Sequence, residues 1–193
     1  MPRPLAAAAT LGASVVLTGA LHLDGFLDGC DAFFASVPAE RRREILKDPH
    51  HGTFAVAGMF VAGSLWYAAL AALPPRAYPA FVAYAGAVAR FAAVVNAYVS
   101  PYVGHGANAR AFEKRPPLVP MLAQGALLCT AGYIIKPALI AVLPLAVAGT
   151  LCLGGSLARR LGGGLVGDAY GFMIVVSEIG VMVALSSAGT SFG

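Results

Sequence analysis

Asp24, Asp28 and Asp31 recur at i, i+4 and i+7, so on a helix their carboxylates share one narrow stripe. Three like charges set this close repel one another, and beside a membrane a cation is the natural means of holding them together. Grouped hard oxygen ligands suit Mg²⁺, Mn²⁺ or Ca²⁺. Gly25 and Gly29 form the neighbouring stripe, and without a Cβ there a phosphate or a second helix can approach the backbone closely. A solvated face on a short extramembrane helix would show the same spacing. Against that reading stand the hydrophobic span before the stripe, its two helix-weakening glycines and the basic cluster behind it.

That cluster supplies the second kind of chemistry, phosphate binding. Pro38 and Glu40 suit the first turn of a short amphipathic helix over residues 38–48. Ile45 and Leu46 would lie against the membrane surface, with Arg41, Arg42, Arg43 and Lys47 facing out. These basic side chains either bind anionic lipid or clamp a substrate's phosphates. In Asp48-Pro49-His50-His51-Gly52-Thr53 the adjacent histidines diverge, which argues against zinc. His50 is a candidate phosphate or ring contact, and Asp48 a further metal ligand or a base. Residues 100–117 bring Tyr102, His105, Asn108, Arg110 and Lys114, polar enough to cover a polar ligand. Residues 160–168 are glycine-rich and end on Asp168 just before a span. Their N–H groups suit a phosphate cradle, and a flexible hairpin would explain them equally well.

The elements that must position these groups are transmembrane helices. Of the 193 residues, 59% are hydrophobic and 11% charged, against roughly 25% charged in soluble domains. Apolar stretches over about 4–23, 53–73, 77–99, 118–135, 137–158 and 169–188 each reach the length that crosses a hydrocarbon core. The expectation is an all-α polytopic membrane bundle of about six helices, a single integral domain over 1–193. Residues 4–23 are read as a retained span, because cleavage near Ala20 would detach the aspartate stripe. Within the spans Arg90, Asn96 and Glu178 are the polar exceptions, and Arg90 and Glu178 either pair with each other or line a pocket. Three cysteines show neither a disulfide framework nor zinc spacing. Loops 24–52, 100–117 and 159–168 hold Arg41, Arg42, Arg43, Lys47, Arg110, Lys114, Arg115, Arg159 and Arg160, while the opposite side has only Arg3, Arg76 and Lys136. Nine against three puts those loops in the cytoplasm.

His22-Leu23-Asp24-Gly25 with Asp28 and Asp31, the Arg41–Arg43 run with Ile45, Lys47-Asp48, Gly52-Thr53, and later Gly163-Gly164 and Gly167-Asp168 together resemble the cobalamin synthase family. The resemblance covers the whole chain. It implies transfer from adenosylcobinamide-GDP to α-ribazole, or its 5′-phosphate, with release of GMP, using Mg²⁺ at the cytoplasmic side of the cell (inner) membrane. Membrane lipids are then partners and nucleic acid is not. Carried over by motif, Asp24, Asp28 and Asp31 hold metal, Asp31 and Asp48 count as catalytic, and Asp168 closes the site. Arg41, Arg42, Arg43, Lys47, His50, Asn108, Arg110 and Asp168 are the expected substrate-binding set. Gly29-Cys30, Ala32, Pro49, His51 and Val166 depart from the family pattern, which bears on efficiency and substrate preference. Family members carry a longer N-terminal portion, which this sequence is expected to lack. Competing readings are a CDP-alcohol phosphotransferase, a prenyltransferase, which would want a second aspartate motif, and a small cation-coupled transporter, which would want inverted repeats.

Overall fold

The computed structural model describes residues 1–104 and 114–189. Inside a bilayer no water bonds a bare N–H or C=O, so long apolar runs become helices that satisfy their own backbones. Among the described residues these are α1 (Arg3–Leu17), α2 (Leu21–Phe34), α3 (Ala39–Ile45), α4 (Thr53–Ala71), α5 (Tyr78–Val99), α6 (Leu118–Ile135), α7 (Val142–Arg160) and α8 (Gly167–Gly189). Short 3₁₀ turns, Pro75–Ala77 and Pro137–Ala141, lead into α5 and α7. Five of these helices, α5 and α7 counted with their turns, are long and apolar enough to cross a membrane, and the bent pair α1–α2 makes a sixth if taken as one crossing. The protein is therefore an all-α, multi-pass membrane protein, and five of the expected spans agree with the helices to within a few residues.

The first expected span differs. Residues 4–23 do not form one helix: α1 stops at Leu17, and α2 leaves it at 93°. Gly19 and Ala20 turn the chain with φ of 58° and 57°. A left-handed alanine costs roughly 1–2 kcal/mol, and packing of α2 elsewhere must offset that cost. Within α1, Thr10, Ser14 and Thr18 donate their hydroxyls to Ala6, Thr10 and Ser14 carbonyls at 2.8–2.9 Å, so none is bare in lipid. The bend carries the aspartates onto a helix that lies outside the five apolar spans.

What holds α2 there is a glycine seam on α8. A Cβ at Gly25 would stand 3.0 Å from Asp168 Cα and 3.2 Å from Gly171 Cα, and one at Gly171 would stand 3.0 Å from Gly25 Cα. The two backbones touch, the arrangement small residues permit between membrane helices. A second helix, one of the two partners expected for that stripe, makes this close approach, and Gly25 also borders the chamber described below. Phe172 of α8 continues the seam, stacked on Phe26 with centroids 5.4 Å apart and edge-on to Phe33 at 5.5 Å. Deeper in the bundle Val88, Met173, Met182 and Leu185 are fully buried, and Asn96 packs against Gly154 between α5 and α7.

The far end of α2 is closed by arginines. Helix C-termini leave carbonyls without partners and carry partial negative charge. Arg42 donates to the Ala32 carbonyl, and Arg160 to that of Phe33 at 2.7 Å. This corrects the picture of residues 38–48 as a surface helix with its arginines facing out. Helix α3 covers Ala39–Ile45, Arg42 is buried, and Ile45 and Leu46 pack against the core. The physical reason is the unsatisfied end of α2, which draws Arg42 inward.

Candidate functional site

Helices α2, α5 and α8 and the stretch around α3 enclose a cavity of about 840 Å³. Asp24 comes to it from α2 and Asp168 from the first turn of α8, where the helix dipole favours an anion. Arg43 and Lys47 line the same space, and Arg90 enters from α5. Arg43 is braced by donating to the Leu161 carbonyl. Tyr102 also lines it, its ring stacked on that of Tyr170 with centroids 6.5 Å apart. Tyr102 is held by a parallel bridge to Leu165, in which Val103 N–H donates to Leu165 O and Leu165 N–H to Pro101 O, both at 2.9 Å. Carboxylates and cations thus share one chamber with His22, and Ala93, Val94, Ala97 and Ile174 give part of its wall an apolar face.

The aspartate stripe divides between two jobs. Burial, then the neighbouring carboxylates of Asp24 and Asp168, push the Asp28 carboxyl up to about 6, with nearby His51 pulling the other way. His51 Nδ1 lies 3.4 Å from Asp28 Oδ1. Asp31 is engaged elsewhere: its Oδ2 accepts the Gly52 N–H at 2.6 Å and its Oδ1 the Ala55 N–H at 3.0 Å. These are N-terminal donors of α4, which has no side-chain cap of its own. The expected roles of Asp31 in metal binding and catalysis thus meet a structural role that uses both its oxygens. Asp31→Ala is accordingly expected to lower stability by about 0.5–2 kcal/mol, the size of a lost N-cap. Thermal unfolding of the purified variant checks this, and an unchanged midpoint would remove Asp31 from the cap.

Among the described residues no three His, Cys, Asp or Glu side chains converge as a ready-made metal cage. Mg²⁺ does not require one, since it commonly takes one or two protein carboxylates together with substrate phosphates and water. The crowding of Asp24, Asp28 and Asp168 is the donor chemistry such a cation would relieve, so these residues fit it, while Asp31 adds a smaller push on Asp28 and is also tied to the α4 N–H groups.

Other expected residues fall in several positions. Asp48 does not fold back over the stripe: it makes a turn in which its carboxylate accepts from the His50 ring at 2.8 Å and from the His50 backbone N–H at 3.0 Å. Those bonds hold the Asp48 carboxyl below the usual carboxylate range. Asp48 and His50 are absent from the cavity wall, and Arg41 pairs at 2.6 Å with Glu44 in the open. Asn108 and Arg110 lie outside the described residues. The glycine-rich loop divides between a turn and the chamber, which Val166 and Gly167 line. Gly162 and Gly163, at φ of 82° and 113°, turn back to close α7, with the Gly163 N–H on the Ala158 carbonyl at 2.8 Å. Arg90 and Glu178 both pair and line cavities. Sequence reasoning missed His51 as the neighbour of Asp28 and Arg160 as a brace for α2. The only available signal for Arg160 was its position in the last turn of a span, the place a cation also takes for topology.

A polytopic helical bundle with a charged chamber among its helices defines the class as a multi-pass membrane protein. The cobalamin-5-phosphate synthase (CobS) family model matches residues 1–186. Proteins named adenosylcobinamide-GDP ribazoletransferase are similar to this chain. That of Deinococcus radiodurans is 39% identical over 94% of this chain and 64% of its own length. That of Pseudomonas putida GB-1 is 35% identical over 96% and 76%, and that of Syntrophobacter fumaroxidans 31% over 100% and 77%. The chain thus spans about two thirds to three quarters of the relatives it matches. It belongs to the cobalamin-5-phosphate synthase family, whose relatives bear the name of a transferase. No solved structure matches it.

Proposed function

We propose that this chain transfers adenosylcobinamide phosphate from adenosylcobinamide-GDP to α-ribazole or α-ribazole 5′-phosphate, releasing GMP, on the cytoplasmic side of the cell (inner) membrane. The observation that carries this reading is the shared chamber, with Asp24 and Asp168 on α2 and α8 and Arg43, Lys47 and Arg90 around them. A diphosphate bridging a metal and cations needs both signs of charge in one place. Bound Mg²⁺ would supply charge neutralisation on the diphosphate and a better leaving group, with Asp24 and Asp168, and Asp28 beside them, as the residues to hold it.

The chain's own part is orientation and proton handling. Arg43, fixed by the Leu161 carbonyl, and Lys47 hold phosphate oxygens so that the ribazole hydroxyl faces the phosphorus bound to the cobinamide side. The hydroxyl oxygen forms the new P–O bond, and the bond from that phosphorus to the bridging oxygen breaks. GMP leaves with the bridging oxygen and the bonding electron pair. The hydroxyl proton passes to a carboxylate of the acidic group.

Purified protein incubated with adenosylcobinamide-GDP, α-ribazole and Mg²⁺ is expected to release GMP in proportion to the cobalamin formed, and to stop when the metal is chelated. Formation of neither product, or turnover indifferent to chelation, would overturn the reading.

A further inference from the structure

A guanidinium within an apolar span is expensive and persists where a partner and a wet space support it. Arg90 has both. Its Nη1 donates to Glu178 Oε2 at 3.1 Å and to the Gly86 carbonyl at 2.9 Å. A core ion pair hides both charges, yet here the cation is the more open partner, at 39% exposure against 18% for Glu178. The space it opens onto is the charged chamber, and on another side it borders a small apolar cavity of about 130 Å³ between α1, α4 and α8. Among the described residues both of its hydrogen bonds leave from Nη1, so the N–H groups on Nη2 and Nε remain for something in the chamber. Gly86 makes room: a Cβ there would stand 3.0 Å from Nη1.

We propose that Arg90 grips phosphate oxygens of a substrate in the chamber, and that Glu178 is the positioning residue that sets its guanidinium plane. This rests on the proposed transfer. A planar fork matches phosphate oxygens two at a time, which a lysine cannot do. Two phosphates share that chemistry, the donor's diphosphate and the 5′-phosphate of a phosphorylated acceptor.

The test uses the full chain as wild type, Arg90→Met, Arg90→Lys and the double variant Arg90→Met/Glu178→Met, with α-ribazole and α-ribazole 5′-phosphate as alternative acceptors. Arg90→Met is expected to raise KM for a phosphate-bearing substrate about tenfold or more, the scale of one charged hydrogen bond, with a smaller change in kcat. Arg90→Lys should fall between it and wild type. A rise confined to the phosphorylated acceptor assigns the acceptor's phosphate, and a rise for the donor with either acceptor assigns the diphosphate. The double variant separates this from a structural pair, because removing both charges repairs a pair that only stabilises. It is expected to keep the raised KM, and a return to the wild-type value would overturn the proposal. Should wild type release no GMP, the transfer reading fails and binding decides alone. Inorganic phosphate or pyrophosphate raising the Tm of wild type but not of Arg90→Met supports the anion site, whereas equal shifts, or none, overturn it.

Discussion

Replacing Asp24 or Asp168 by asparagine is expected to cut GMP release by about a hundred- to a thousandfold, the loss typical when one preorganised charge-stabilising group is removed. Both side chains line the chamber, and both sit in the first turn of a helix, where the dipole favours an anion. Their proximity to Asp28 is a repulsion the folded protein tolerates, since both neighbours push the Asp28 carboxyl upward. Taking one away eases that repulsion and gives up a helix-dipole interaction of about 0.3–1 kcal/mol, so thermal stability is expected to change little while turnover collapses. The same substitution should return the Asp28 carboxyl toward its ordinary range. Initial rates against Mg²⁺, with thermal unfolding of the same preparations, make the comparison. Wild-type rates at limiting Mg²⁺ would mark these carboxylates as a solvated face, and a large fall in Tm would mark them as structural. Asp31→Ala provides the contrast, losing stability through the α4 N-terminus.

The spans and the chemistry-bearing stretch were legible because each rests on local pattern. Apolar runs of crossing length gave α4 to α8 nearly to the residue, and the i, i+4, i+7 spacing put the aspartates on one helix face. What sequence could not supply was the outcome of competition between partners. Asp31 and Asp24 are equivalent in the stripe, yet only Asp31 lies within reach of Gly52 and Ala55, a contact made across 21 and 24 residues. Arg41, Arg42 and Arg43 read as one cluster and take three fates: a surface pair with Glu44, a buried brace on Ala32, and a side chain on the chamber wall. At the break Gly19 offered a helix-stop signal, which the apolar run on both sides and the helix-favouring Ala20 outweighed. The left-handed Ala20 is compatible with the packing of α2 against its neighbours, the seam with α8 foremost.

That seam also defines the substitution with the largest structural effect. At Gly25 the atoms a new Cβ would meet are Asp168 Cα at 3.0 Å, Asp168 O at 3.2 Å and Gly171 Cα at 3.2 Å. All are backbone, so no rotamer change makes room, and α2 must move off α8. Gly25→Val adds two further methyl groups in the same place, with overpacking expected to cost about 1–3 kcal/mol or more. Because Asp24 and Asp168 reach the chamber from the two sides of this contact, the displacement also separates the carboxylates. Gly25→Val is therefore expected to lower Tm and to abolish GMP release together. Gly180→Ala, on α8 with nothing within 4 Å of a new Cβ, is expected to be neutral or slightly stabilising through helix propensity. Gly29→Ala should fall between them, because the atoms it meets belong to the Phe172 ring, a side chain whose freedom is limited by Phe26 and Phe33. Thermal unfolding and initial rates for the three variants rank them. A Gly25→Val protein with the melting point and rate of wild type would show that the close approach of α2 to α8 does not position the site.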